Sequence, residues 1–199
     1  AVSFVVSTPV AKHVYHTAAL HGKRVQSAGG AKNYMVALPD AHLEATIDAV
    51  LGSAYGCAGE RCMAGSVLVC AGDAGKRLLP ALRDAAASLR VGPTDRDPGA
   101  QMGPLVTRQH LDRSLGYIEA GLSEGADLLL DGRNVRVGSA PNGFYLGPTV
   151  FDRVTPGMRI AREEIFGPVL SVMHAKDVNE AIALCNDSGY GNAAVIFTP

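Results

Sequence analysis

The 199-residue chain is 47% hydrophobic and 19% charged, a globular composition with no apolar run long enough to cross a bilayer as a helix, so neither disorder nor a membrane partner is expected. A net charge of −1 leaves no electrostatic footprint for nucleic acid, and with no Trp, six Tyr and five Phe a base-stacking platform is not expected either. The four cysteines, Cys57, Cys62, Cys70 and Cys185, match no zinc spacing and are too sparse for a disulfide framework. A reducing compartment is therefore expected, the cytoplasm or, in a eukaryote, the mitochondrial matrix.

In chain order, residues 2–6 form an apolar run that reads as a buried strand. Ser7-Thr8-Pro9 is a helix start, a capping hydroxyl followed by proline in the first turn, and the helix is expected to reach about Leu20 and stop at Gly22. Extended structure resumes at Val25-Gln26-Ser27, before Gly29-Gly30, where the backbone can be approached closely. Val36-Ala37-Leu38 reads as a short strand, and Asp40 as the cap of a helix carrying Leu43, Ile47, Val50 and Leu51 on one face. A stretch rich in small residues, 52–65, precedes a strand over 66–70 and a helix over about 74–89.

The Gly- and Pro-rich residues 92–104 read as a long connection, after which Thr107 caps a helix reaching about Leu122. Strands are expected at 126–130, 149–151 and 169–173, then a helix over 178–186 capped by Asp177, and a last apolar strand. Both terminal runs read as core strands, which a natural domain seldom begins and ends on, so a piece of a longer protein is expected. Strands alternating with long helices predict an α/β fold with largely parallel pairing.

Among the thiols, Cys70 and Cys185 lie in apolar runs and read as small buried hydrophobes. Cys62 differs. It follows Arg61, whose charge favours a thiolate, and Ala58, Gly59, Ala64 and Gly65 leave room for a substrate to approach. His13, His16 and His21 have no local carboxylate or thiol partner and read as solvated helix positions, so no metal site is expected.

The segment Gly59-Glu60-Arg61-Cys62-Met63-Ala64 resembles the active-site segment of aldehyde dehydrogenases. Three further blocks match that family in order: Ser3-Phe4-Val5-Val6-Ser7, Gly29-Gly30-Ala31-Lys32-Asn33 and Glu163-Glu164-Ile165-Phe166-Gly167-Pro168. The resemblance implies an NAD-dependent enzyme acting on a small-molecule aldehyde, a homo-oligomer (a tetramer when full length). It implies that residues 1–30 end a dinucleotide-binding domain and that 31–199 form a catalytic domain incomplete at its C-terminus. Cys62 is implied as the nucleophile, its own N–H helping to hold the oxyanion. Ser7 is implied at the pyrophosphate, Gly29 beside the nicotinamide, Glu164 on the nicotinamide ribose and Phe166 packed against it.

The hydrolytic members carry a water-activating glutamate where this chain has Ala28, which cannot accept a proton. A thiol acceptor needs less help, so coenzyme A is the expected co-substrate. Gly22-Lys23-Arg24-Val25-Gln26, Gly30-Ala31-Lys32-Asn33, Arg61-Cys62-Met63-Ala64 and Tyr190-Gly191-Asn192 are similar to the CoA-acylating methylmalonate (malonate) semialdehyde dehydrogenase branch. In that reading Arg61 holds the substrate carboxylate through paired hydrogen bonds. Three positions depart from the pattern: Val6 for glycine, Glu60 for glutamine and Gly189 for proline. The competing readings are a hydrolytic aldehyde dehydrogenase and a domain of this family without catalysis of its own.

Overall fold

A computed structural model describes residues 1–199, which divide into two compact units, Ala1–Ala31 and Lys32–Pro199. The first is a single β-α-β element. Strand β1 (Val2–Val5) pairs in parallel with β2 (Val25–Ala28), Val2 opposite Val25 and Val5 opposite Ala28, and helix α1 (Thr8–Leu20) connects them. Pro9 occupies the first turn of α1, where its missing N–H costs nothing, and Gly22 leaves the helix at φ +63°. Burial alternates along both strands, so β1 is half exposed rather than the core strand that its composition suggests.

The second unit is a six-stranded sheet in the order β5-β6-β7-β4-β3-β8. Its strands are β3 (Asn33–Ala37), β4 (Gly65–Ala71), β5 (Asp127–Leu130), β6 (Thr149–Asp152), β7 (Val169–Ala175) and β8 (Ala194–Phe197). All pairings are parallel except β5 with β6 at one edge, so the expected α/β class with largely parallel pairing is the class observed. The central strands β3, β4 and β7 are apolar runs because both faces are covered, and Val67, Leu68 and Val69 are fully buried. Helices α2 (Leu43–Tyr55), α3 (Ala74–Ala87), α4 (Arg108–Ser123) and α6 (Val178–Asn186) are joined by the single turn α5 (Arg159–Arg162).

Several boundaries differ from expectation for physical reasons. Strand β3 begins at Asn33, three residues earlier than its apolar run, because the polar Asn33 is itself buried and bonded. Helix α2 is capped by the His42 ring, which accepts from the Ala45 N–H at 3.3 Å, and not by Asp40. The short α5 has too few residues to show a period. Thr107 and Asp177 cap α4 and α6 as expected, accepting from the N–H groups of His110 and Glu180. Strand β8 is largely exposed, with Val195 and Ile196 each 45% accessible, so it too is no core strand.

Candidate active site

The topology decides which loops meet. β3, β4, β7 and β8 run parallel as neighbours, so the segments entering them lie along one edge of the sheet. Those segments carry Asn33, Cys62, residues 163–168 and Asn192. The segments that bear Cys62 and Glu164 therefore enter neighbouring strands at the same sheet edge.

Cys62 is exposed, and it sits in a turn closed by the Ala64 N–H donating to the Arg61 carbonyl at 3.0 Å. The chain reaches that turn from the end of α2 through a short 3-10 segment, Gly56–Gly59. There Cys57 and Ala58 adopt φ values of 52° and 53°, and Gly59 follows at 74°. Two successive non-glycine residues in the left-handed region store strain, which the surroundings must hold. Part of that hold comes from Ser53, whose hydroxyl accepts from the Gly65 N–H at 2.9 Å. Gly59 packs so closely on the Gly167 carbonyl that a Cβ there would overlap it, joining the cysteine segment directly to residues 163–168.

The carbonyl of Cys62 is gripped from two sides. Asn33 Nδ2 donates to it at 2.8 Å and to the Ala64 carbonyl at 2.9 Å, while Asn192 Nδ2 donates to it at 2.9 Å. The two amides also meet, Asn192 Nδ2 donating to Asn33 Oδ1 at 3.2 Å. Sequence reading placed both asparagines in family-like blocks but assigned neither a role, because their convergence is tertiary.

Arg61 stands otherwise than the charge argument suggested. Its Nη2 donates to the carbonyls of Gly52 and Ser53 in the last turn of α2, where a cation complements the helix dipole. Glu60 also points away from Cys62. Its carboxylate accepts from the Val106 N–H at 3.4 Å and lies 3.6 Å from His110 Nε2. Burial raises the Glu60 pKa above the usual carboxylate value, opposed by the Val106 N–H and by His110.

Residues 163–168 are held through their backbone. Lys32 Nζ donates to the carbonyl of Glu163 at 2.9 Å and of Ile160 at 2.7 Å, Arg113 Nη2 to that of Glu164 at 3.0 Å, and the His110 ring to that of Phe166 at 2.6 Å. A carbonyl can only accept, so the last bond requires a proton on Nε2. Phe166 sits at φ 62°, and its ring meets the His110 ring edge-on at 6.3 Å. Glu163 turns its carboxylate toward Arg159 and Tyr117, which hold its pKa low, leaving Glu164 half-buried beside it. The Lys32 ammonium is buried, and desolvation brings its pKa down to about 7 against the opposing pull of Glu164 and Glu163.

In the first unit, Ser7 is the N-cap of α1 but makes no side-chain cap bond, leaving its hydroxyl and the first-turn N–H groups available to an anion. Gly29 lies against Thr8, where a Cβ would stand 3.0 Å from the hydroxyl, and the Gly30 N–H donates to that hydroxyl at 3.0 Å. Beside them a groove of about 220 Å³ is lined by Thr8, Ala11, Lys12, Tyr15, His16, Ser27 and Gly29. An open helix N-terminus beside a glycine-lined groove suits a dinucleotide phosphate. Ala28 ends β2 opposite Val5.

An exposed thiol on a strained turn, with a gripped carbonyl and an anchored carboxylate-bearing loop along the same sheet edge, is an arrangement open to covalent chemistry at sulfur. The aldehyde dehydrogenase family model matches residues 1–199, and the chain belongs to that family. The chain is 48% identical over 198 residues to malonate-semialdehyde dehydrogenase 3 of Geobacillus kaustophilus, covering 100% of this chain and 40% of that protein. It is 46% identical over 198 residues to the acylating, mitochondrial methylmalonate-semialdehyde/malonate-semialdehyde dehydrogenase of Bos taurus, covering 100% of this chain and 36% of that one. Among solved structures, a methylmalonate-semialdehyde dehydrogenase of Oceanimonas doudoroffii superposes with a TM-score of 0.95 at 45% identity, over 99% of this chain and 40% of that one. A betaine aldehyde dehydrogenase of Staphylococcus aureus in complex with NAD+ superposes at 0.94 with 31% identity, over 98% and 39%. The chain thus spans about 40% of the length of the curated relatives that it matches. No helix is long and apolar enough to cross a membrane.

Proposed function

We propose that the chain carries the catalytic machinery of an NAD-dependent, CoA-acylating malonate or methylmalonate semialdehyde dehydrogenase, with residues 1–31 contributing to the dinucleotide site and 32–199 to catalysis. The observation that carries this reading is Cys62 itself, exposed on a turn whose carbonyl is fixed and whose N–H donates to no group of the chain. The names of relatives at 46–48% identity support the substrate class.

Cys62 Sγ attacks the aldehyde carbon, and its backbone N–H receives the developing oxyanion. NAD, when bound, would supply the hydride acceptor needed for the thiohemiacetal on Cys62 to become a thioester. Ser7 and Gly29 serve the phosphates and nicotinamide, and Glu164 and Phe166 its ribose. The role read for Arg61, on the substrate carboxylate, requires its guanidinium to turn from the α2 carbonyls toward Cys62. That carboxylate leaves as CO2, its electrons passing into the thioester carbonyl. The enolate takes a proton from solvent at its α-carbon, and the CoA thiol then displaces Cys62, its proton passing to the departing sulfur. Ala28 supplies no base for water, which favours thiol over hydrolytic release. The same reading makes the full enzyme a homotetramer of the cytoplasm or mitochondrial matrix.

The test is to supply malonate semialdehyde and NAD with and without CoA, following NADH and acyl-CoA together. NADH that depends on CoA, with acetyl-CoA formed in equal amount, is expected. Equal NADH without CoA, and no acyl-CoA, would sink the acylating assignment in favour of hydrolysis.

A further inference from the structure

The carbonyl of a catalytic cysteine is not itself reactive, yet here it accepts side-chain hydrogen bonds from two distant segments. Asn33 and Asn192, 159 positions apart, both donate to it, and the second proton of the Asn192 amide is shared between Asn33 Oδ1 and Met63 Sδ, each 3.2 Å from its nitrogen. The amide orientations follow from the acceptors. Asn33 faces two carbonyls, so its nitrogen must point at them and its oxygen at Asn192. Asn33 is 4% accessible and is fixed in the sheet by the register of β3 against β4, Asn33 opposite Gly65. Asn192 lies in the exposed loop before β8 and reaches in from the neighbouring strand.

We propose that Asn33 and Asn192 are positioning residues that clamp the peptide of Cys62, so that its N–H is aimed at the oxyanion while its sulfur stays open to the substrate. The inference rests on the reading of Cys62 as nucleophile. The two amides hold the Cys62–Met63 peptide, and the Ala64 N–H bond to the Arg61 carbonyl holds the preceding peptide that carries the Cys62 N–H. With both planes held, Cys62 has little freedom about φ and ψ, by which the preceding left-handed residues would otherwise relax. The clamp therefore matters for reactions that pass through an oxyanion and not for reactions that use only the sulfur.

That difference gives the test, which needs neither NAD nor CoA. p-Nitrophenyl acetate acylates a thiolate through a tetrahedral oxyanion. The S–C bond forms as the carbonyl electrons move to oxygen, and collapse expels p-nitrophenolate, leaving the acetyl on sulfur. Iodoacetamide alkylates the same sulfur by displacing iodide, with no oxyanion. Both rates are read by mass on the tryptic peptide 62–76, which cleavage after Arg61 separates from Cys57, with fragment ions assigning the label to Cys62 and not to the buried Cys70 in the same peptide. In the full chain, Asn192→Ala and Asn33→Ser are expected to slow acylation roughly tenfold, a fraction of what losing an oxyanion donor costs, and to change alkylation by less than about twofold. Asn192 is exposed, so its variant folds and decides the matter if the Asn33 variant does not. Acylation and alkylation moving together, or neither moving, overturns the clamp while leaving the nucleophile standing. A parent chain that alkylates at Cys62 but never acquires acetyl there overturns the nucleophile reading, and the clamp with it.

Discussion

The two ends of the parallel strands are built to different rules. At the carboxyl end β4 leaves through Gly72, whose N–H meets the Ala175 carbonyl at 2.8 Å, and β3 leaves through Leu38, whose N–H meets the Phe197 carbonyl at 3.1 Å. Asp177 then caps α6, so the turns are short and self-bonded, with Arg153 after β6 the one left-handed non-glycine residue on that side. At the amino end Cys57, Ala58 and Phe166 all take positive φ without glycine's freedom. Their loops are held instead by side chains from distant segments: Lys32, Asn33, His110, Arg113 and Asn192. Open α/β sheets usually place ligands outside the carboxyl ends of their strands. In the second unit the candidate site stands at the amino ends, where three of the four left-handed non-glycine residues lie.

The comparison can be broken at its centre first. Cys62→Ala is expected to abolish acetylation of the 62–76 peptide by p-nitrophenyl acetate, a loss of about 10³-fold or more, with the urea midpoint unmoved because the side chain is exposed. Matched glycine substitutions weigh the two ends against each other. Gly59→Ala places a methyl on the Gly167 carbonyl at φ +74°, and a cost of roughly 3 kcal/mol is expected. Gly72→Ala at φ +56° meets Pro39 Cγ at 3.2 Å and the Lys176 carbonyl at 3.9 Å, with no overlap on backbone, and is expected to cost about 1–2 kcal/mol. Equal losses in urea unfolding would mean that the amino end is no more constrained than the other.

Lys32 sharpens the contrast through pH. Its pKa falls from 10.5 unfolded to about 7 folded, so the unfolded chain binds more protons between those values. Stability is therefore expected to rise with pH from about 7 toward 10.5 and to show no contribution from this group below 7, a change on the order of a few kcal/mol. Lys32→Met removes that slope, seen in unfolding midpoints measured across pH. A slope retained by the variant would place its origin elsewhere. The smallest effect belongs to Cys57→Gly, which relieves one left-handed residue and is expected to add about 0.5–1 kcal/mol of stability.

Much of this was legible in the residues, and the boundary of legibility is instructive. Local chemistry announced Thr107 and Asp177 as caps, Gly22 as a stop and the alternation that makes a parallel sheet, because each depends on neighbours in sequence. His42 as a cap was missed, since an imidazole acceptor is uncommon there. The candidate site was legible as four blocks, and the sheet order explains why 62, 163–168 and 192 can meet. Illegible were the directions of side chains. Glu60 and Arg61 flank Cys62 in sequence, yet one turns to His110 and the other to α2, so charge adjacency in the chain did not become proximity of charge.

The grip on the Cys62 carbonyl also bears on how the molecule acquires its chemistry. Its two amides enter with β3 and β8, the first and last strands of the second unit in chain order, yet neighbours in space. Contacts of such long sequence separation form late, because the intervening chain must first be ordered. During synthesis Cys62 would thus emerge as a loosely held thiol and gain its fixed peptide only once β8 docks. The full grip on this peptide depends on the pairing of β8 with β3, a long-range contact, and not only on the local turn that bears Cys62.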